Sequence, residues 1–242
     1  MKYFPAWFTR HRGLNRGYRY LAALFPPLLF RWFGQPVSGL KHLGSDYGGW
    51  YTPVGELGPD SIVYSAGIGV DVTFDEALIA EVGCRVFGFD PTPFSVEFIA
   101  SREASLAFKQ RFQFEPVGLW DSETVLTFYA PKSRGWVGSF SALNLQGTQA
   151  AEAVRAPVER LSHVMRRLGH KRIDLLKLDI EGAEYRVIEE IVRERPDIGW
   201  LCIEFDQPVP LWTTVVAIRK LKGAGYQLRL ADKWNFVFQV IR

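Results

Sequence analysis

The sequence predicts an α/β fold: a doubly wound, mostly parallel sheet closed by an antiparallel terminal strand pair. Three observations carry this. Short apolar runs alternate with amphipathic stretches of helical period along most of the chain. Several of these runs end on a glycine turn or an acid, as strands that open a ligand site do. The last two runs, residues 226–230 and 235–241, follow one another across a turn at Asp232-Lys233 with no helix between them.

Residues 1–45 form a basic, aromatic-rich N-terminal extension, and residues 46–242 the folded domain. Seven basic residues and no acidic one precede Asp46, whereas the remainder carries 22 basic and 26 acidic residues. This asymmetry points to an anionic partner for the extension alone. The apolar segment Leu21-Ala-Ala-Leu-Phe-Pro-Pro-Leu-Leu-Phe30 is about half the roughly 20 residues of a spanning helix, and Pro26-Pro27 breaks it. No small-residue cleavage site follows it, so a signal peptide is not expected. Two readings stay open. One is an interfacial segment with Trp7, Phe8, Tyr18 and Tyr20 at headgroup depth, giving peripheral contact at the inner membrane face. The other is a helical extension packed on the domain or on a second subunit. No RNA-binding motif accompanies the charge, so nucleic acid is not an expected partner. The two cysteines, Cys84 and Cys202, lie in apolar runs and read as buried hydrophobes of a reducing, cytoplasmic compartment. The four histidines show no zinc spacing.

In order along the domain, Tyr47-Gly-Gly-Trp-Tyr51 is a loop that either covers a ligand or tucks its aromatics into the core. Ile62-Val63-Tyr64 is a buried strand, Ser65-Ala-Gly-Ile-Gly69 a glycine turn, and 75–82 the helix after it. The strand Arg85–Phe89 closes on Asp90, 21 residues beyond Gly69. A strand, glycine turn, helix, second strand and acid at this separation hold the ribose of an adenosine. The third glycine of the dinucleotide fingerprint is replaced by Val72, which argues against NAD and suits a nucleoside without phosphates. Residues 94–110 read as one helix, 111–117 as a strand, Gly118-Leu-Trp120 as a turn, and 125–129 as a further strand. Residues 136–149 form a polar, glycine-containing loop of the kind that carries specificity. Residues 154–158 read as an edge strand and 159–168 as a helix.

The most informative stretch is Asp174-Leu-Leu-Lys-Leu-Asp-Ile-Glu-Gly-Ala-Glu-Tyr185. It begins as a strand with an apolar run fit for burial on both faces. It continues as a helix over 181–195, with Ala183, Val187, Ile188, Ile191 and Val192 on one stripe and Pro196 as the stop. Lys177, Asp179, Glu181 and Glu184 cluster at the junction. In isolation, Asp179 reads equally as a helix cap and the glutamates as complements to the helix dipole. Lys177 adds a constraint: it shares a strand face with Asp179, and a lysine in a buried strand needs paired carboxylates. Residues 200–205 are a fifth parallel strand with Glu204 and Asp206 at its end. Residues 211–224 are a helix.

Ser65-Ala-Gly-Ile-Gly69, Phe89-Asp-Pro-Thr-Pro93 and Leu175-Leu-Lys-Leu-Asp-Ile-Glu-Gly-Ala-Glu184, in this order, resemble the FkbM-type S-adenosylmethionine-dependent methyltransferases. The family commonly has an Asp before the glycine turn; here Asp71 follows it. The resemblance implies a seven-stranded class I (Rossmann-like) methyltransferase fold and O-methylation of a hydroxyl on a sugar, glycan or natural product. It implies S-adenosylmethionine at Ser65, Ala66, Gly67 and Gly69, its ribose on Asp90, and its adenine near Glu115, Val117 and Gly118. Asp179 and Glu181 would face the methionine end and the acceptor. As catalytic residues we expect Asp179 or Glu181 as the base and Lys177 as the group that orients it. A divalent metal at these strand ends is an alternative to the metal-free reaction. Two other functions stay open: an NAD-dependent oxidoreductase on a similar sheet, and a non-catalytic scaffold that docks to a membrane.

Overall fold

The computed structural model describes residues 24–129, 140–142, 153–205 and 209–241. Residues 1–23, Asp206 and all of the 136–149 loop except 140–142 lie outside the described residues.

The chain enters through helix α1, Phe25–Phe33, whose prolines sit in its first turn, where a missing N–H costs no helical bond. Strands β1, Lys41–Leu43, and β2, Trp50–Thr52, form an antiparallel hairpin. Strand β3, Ile62–Ala66, opens the main sheet and is buried throughout. Helix α2, Thr73–Val82, leads to β4, Arg85–Phe89. Helices α3, Pro93–Ser101, and α4, Leu106–Arg111, precede β5, Phe112–Glu115. Strands β6, Gly118–Trp120, β7, Thr124–Tyr129, and β8, Ala153–Arg160, make a separate three-stranded sheet with β8 in the middle. Helix α5, Leu161–Arg167, then strand β9, Ile173–Leu178, helix α6, Glu184–Glu194, strand β10, Ile198–Glu204, and helix α7, Leu211–Gly223, complete the alternation. Strands β11, Tyr226–Asp232, and β12, Asn235–Val240, close the chain.

The main sheet has seven strands in the order β11-β12-β10-β9-β3-β4-β5. Strands β5, β4, β3, β9 and β10 pair in parallel, and β12 runs antiparallel to both β10 and β11. Two apolar layers cover it. One contains Tyr64, Leu176, Ile203 and Phe236; the other contains Trp50, Val63, Leu175 and Val237. Strands buried on both faces are what near-continuous apolar runs require.

Several expectations need correction. Residues 94–110 are two helices, because Ser105 accepts a hydrogen bond from Phe108 N and starts a new one. Arg102 fills the break, its guanidinium over the Phe98 and Phe108 rings and 3.0 Å from Glu76. The turn expected at Gly118–Trp120 is a strand, paired in parallel with Val158–Arg160. The edge strand expected at 154–158 is the longer central strand β8, flanked on both sides. The helix expected from Glu181 begins at Glu184, because Glu181 and Gly182 are left-handed, with φ of 54° and 97°.

The boundary drawn between residues 45 and 46 falls inside the β1–β2 hairpin. Leu29 of α1 has no exposed surface and joins the core of Leu228 and Phe238. Gln227 Nε2 donates to the Phe33 carbonyl. The described part of the extension is therefore packed on the domain. If α1 is structural, Leu29→Ala should lower unfolding free energy by about 2–5 kcal/mol in urea titration; a loss below about 1 kcal/mol would show α1 to be dispensable.

Candidate active site

The C-terminal ends of β4, β3 and β9 are tied together by the backbone. Gly67 N donates to Phe89 O at 2.9 Å, and Asp179 N donates to Ala66 O at 3.1 Å. The glycine turn needs Gly67 for two reasons. Its φ is 86°, and a Cβ there would lie 1.6 Å from the Asp179 carbonyl oxygen. Gly69, also left-handed, donates its N–H to Asp90 Oδ2 at 2.9 Å. Asp90 Oδ1 accepts from Thr92 N and Thr92 Oγ1, which also caps α3. The turn and the acid of the second strand are thus one unit, and Asp90 Oδ2 keeps a lone pair for a ligand.

Lys177 is 5 % exposed and lies opposite Ser65 on β3 and Cys202 on β10. Its Nζ donates to the Gly67 carbonyl at 3.0 Å, stands 3.4 Å from Asp179 Oδ2, and is 5.8 Å from the Trp50 ring centroid. Of the two readings of Tyr47–Tyr51, Trp50 follows the core one: it is buried beside Lys177, while Tyr47 is exposed. Ser45 Oγ links this loop to the glycine side, donating to Asp71 Oδ2 and accepting from Gly48 N. Burial works to raise the Asp71 carboxyl, but hydrogen bonds from Thr73 and Ser45 and the charge of Lys177 outweigh it and hold it below the usual range. Asp75, buried in the first turn of α2, is pushed up to about 6 by burial against the pull of Lys177.

Past Asp179, the chain turns through Glu181 and Gly182. Glu184 Oε1 accepts from Ile180 N and Gly182 N, so this buried glutamate shapes the turn. Asp179 makes no side-chain cap to α6, whose N-cap is Ala183. Ser141 Oγ donates to the Glu181 carbonyl at 2.7 Å, and Phe140 stacks on Phe94. The segment 140–142 therefore reaches from the three-stranded sheet to the motif.

The sheet register sets Glu204 beside Asp179, since Ile203 pairs with Leu178, and opposite Asn235 on β12. Burial, reinforced by Asp179, Glu181 and Glu184, pushes its carboxyl up to about 9. Glu204 therefore enters the site as a neutral acid able to donate a hydrogen bond. Sequence reasoning placed it at the strand end but gave it no such role; one acid following an apolar strand, beside another such strand, was the available signal. Asp75 was missed entirely, because an acid in a first helical turn reads as a dipole complement.

Of the residues expected at the cofactor, Gly67, Gly69 and Asp90 come together with Asp179. Ser65 and Ala66 are fully buried behind the turn, so their side chains cannot line a cleft. Glu115 closes the end of β5, where its carbonyl accepts from Asp90 N and Val117 N, and its carboxylate pairs with Arg167 at 2.7 Å. Val117 and Gly118 are buried next to it. Among the described residues, no group of three or more His, Cys, Asp or Glu side chains has the arrangement of a metal site.

A seven-stranded sheet of this order, with a glycine turn and acids at adjoining strand ends, defines a class I, Rossmann-like methyltransferase fold. The family model described as the methyltransferase FkbM domain matches residues 64–228, and the chain belongs to that family. The FkbM methyltransferase structure from Methylobacillus flagellatus KT superposes with a TM-score of 0.50 at 16% identity, covering 89% of this chain and 50% of that one. The human protein named "Probable methyltransferase-like protein 24" is 29% identical over 144 residues, 59% of this chain and 31% of the relative. Its Rattus norvegicus counterpart is 27% identical over 144 residues, 59% of this chain and 32% of the relative. The match thus spans about a third of the length of these curated relatives.

The Glu204 environment predicts a pH signature. With its carboxyl pushed up to about 9, the folded protein retains this proton at pH values where an unfolded chain, at the ordinary 4.5, has released it. The folded state binds more protons between these values, so this group's contribution to stability falls as pH rises through the window. Glu204→Gln should flatten the decline of melting temperature from pH 5 to pH 9 relative to wild type. Parallel profiles would show that Glu204 is not a proton holder.

Proposed function

We propose that the chain is an S-adenosylmethionine-dependent methyltransferase that O-methylates a hydroxyl of a sugar, glycan or other small molecule. The observation that supports this most is the joining of Gly67, Gly69, Asp90 and Asp179 at three adjoining strand ends, with Lys177 bonded to both sides. The donor set suits the cofactor. Asp90 Oδ2 offers a lone pair to a ribose hydroxyl, the glycine turn lets a ligand approach its backbone, and Asp71 complements a cationic group.

The cofactor supplies an electrophilic methyl group; the protein supplies alignment and a proton acceptor. Holding the acceptor oxygen in line accounts for up to roughly 7–11 kcal/mol of barrier reduction in favourable cases. Asp179 is the proposed base, with Glu181 the second candidate. Lys177, 3.4 Å from Asp179 Oδ2, fixes that carboxylate's orientation. Glu204, protonated beside it, donates a hydrogen bond to the acceptor or to Asp179 itself. We place acceptor recognition on the side of Phe140 and Ser141: Ser141 bonds the Glu181 carbonyl, and Phe140 stacks on Phe94.

Calorimetric titration with S-adenosylmethionine, S-adenosylhomocysteine and NAD should give binding of the first two alone. Binding of NAD, or of none, would contradict the proposal, and the latter result would favour a non-catalytic scaffold. In a screen of hydroxylated acceptors with methyl-labelled cofactor, Asp179→Asn should lose about 10²-fold or more in transfer while keeping cofactor affinity. Unchanged transfer would remove Asp179 as base.

A further inference from the structure

Helices α1 and α7 lie side by side on one face of the main sheet. Leu29 of α1 and Ala217, Ile218 and Leu221 of α7 enter the same core, and the Arg219 guanidinium sits 5.9 Å from the Phe33 ring centroid. Each helix turns an apolar stripe outward. On α1 it runs from Leu24 through Leu28 to Trp32, spaced four residues apart. On α7 it is Trp212 and Val216, followed by Arg219. Trp32 is 60 % exposed and Trp212 is 65 % exposed. Single exposed apolar residues are ordinary, but two tryptophans and three aliphatics on adjoining helix faces are an unusual outlay of surface for a soluble domain.

Two arginines border this face. Arg31 is exposed on α1 beside Trp32, and Arg219 is exposed on α7. The chain enters α1 at Leu24, on this face, directly after a segment with Lys2, Arg10, Arg12, Arg16 and Arg19 and no acid. Exposed tryptophans with flanking arginines match the interface of a bilayer, where indole rings sit at headgroup depth and guanidinium groups meet lipid phosphates. Among the described residues, no helix is long and apolar enough to cross a membrane, so such contact would be with the surface.

We propose that the outward faces of α1 and α7 form a docking surface for anionic lipid bilayers. Leu24, Leu28, Trp32, Trp212 and Val216 enter the interface; Arg31 and Arg219 hold the headgroups. This proposal does not depend on the methyltransferase reading.

Vesicle co-sedimentation of the full chain tests it. The protein should bind phosphatidylcholine vesicles that contain phosphatidylglycerol, bind pure phosphatidylcholine weakly, and release as salt rises. Trp32→Ala with Trp212→Ala should weaken binding about tenfold or more. Arg31→Glu with Arg219→Glu should weaken binding and reduce its salt dependence, which keeps the test valid if the tryptophan variant folds poorly. Melting temperatures report folding in each case. Absence of binding to the anionic vesicles would overturn the proposal. So would full binding by both variants, which would move the contact to residues 1–23 alone. Concentration-dependent self-association without vesicles, abolished by the tryptophan changes, would instead assign the face to a second copy of the chain.

Discussion

The site depends on one buried lysine. Lys177 stands in the middle of the sheet, flanked by Ser65 and Cys202, where a hydrocarbon side chain would be the ordinary choice. An uncompensated buried charge is costly enough to prevent folding of the local structure around it. Its Nζ meets that cost by donating to Gly67 O and pairing with Asp179, with Asp71 and Asp75 adding their fields from α2 and the turn before it. The glycine turn and the Asp179 strand end are thereby held against each other. The same closeness leaves no room for a side chain at Gly67.

Around that contact the carboxylates divide their work by environment. Glu184 is spent on backbone N–H groups and shapes the turn at Gly182. Asp90 fastens Gly69 to the next strand and caps nothing itself; Thr92 does the capping. Glu204, crowded by Asp179, Glu181 and Glu184, retains its proton. Several acids close together cannot all ionise in a partly dry site, so an acid and a base arise from one residue type. That is a useful property in a site meant to draw a proton from a hydroxyl.

Much of this was legible in the sequence where local pattern and tertiary role agree. The runs ending at Ala66, Phe89 and Leu178 read as strands because both faces are buried. The acid after Phe89 and the glycine turn were recognisable because their backbone demands are specific. What escaped reading was set by distant partners. Gly118–Trp120 is too short to show a period, and it becomes a strand only because β8 lies beside it. Residues 94–110 keep helical period through a break that Arg102 and Ser105 create. The delayed start of α6 comes from left-handed Glu181, a conformation that a glutamate does not advertise. For α1 the sequence left open whether the segment meets a membrane or packs on the domain, because Leu29, which anchors it, is one leucine among many.

The central claim is that Lys177 couples the glycine turn to Asp179 and so prepares the cofactor site. The most direct measurement is the affinity of S-adenosylmethionine for Lys177→Met, which keeps the hydrocarbon stem and removes both polar contacts. Circular dichroism and thermal melting would verify that it folds. A folded variant whose affinity falls about tenfold or more, the scale of one lost charge-assisted hydrogen bond, is the predicted result. Wild-type affinity in the folded variant would contradict the account and leave the lysine as a tolerated buried charge beside a site that stands without it.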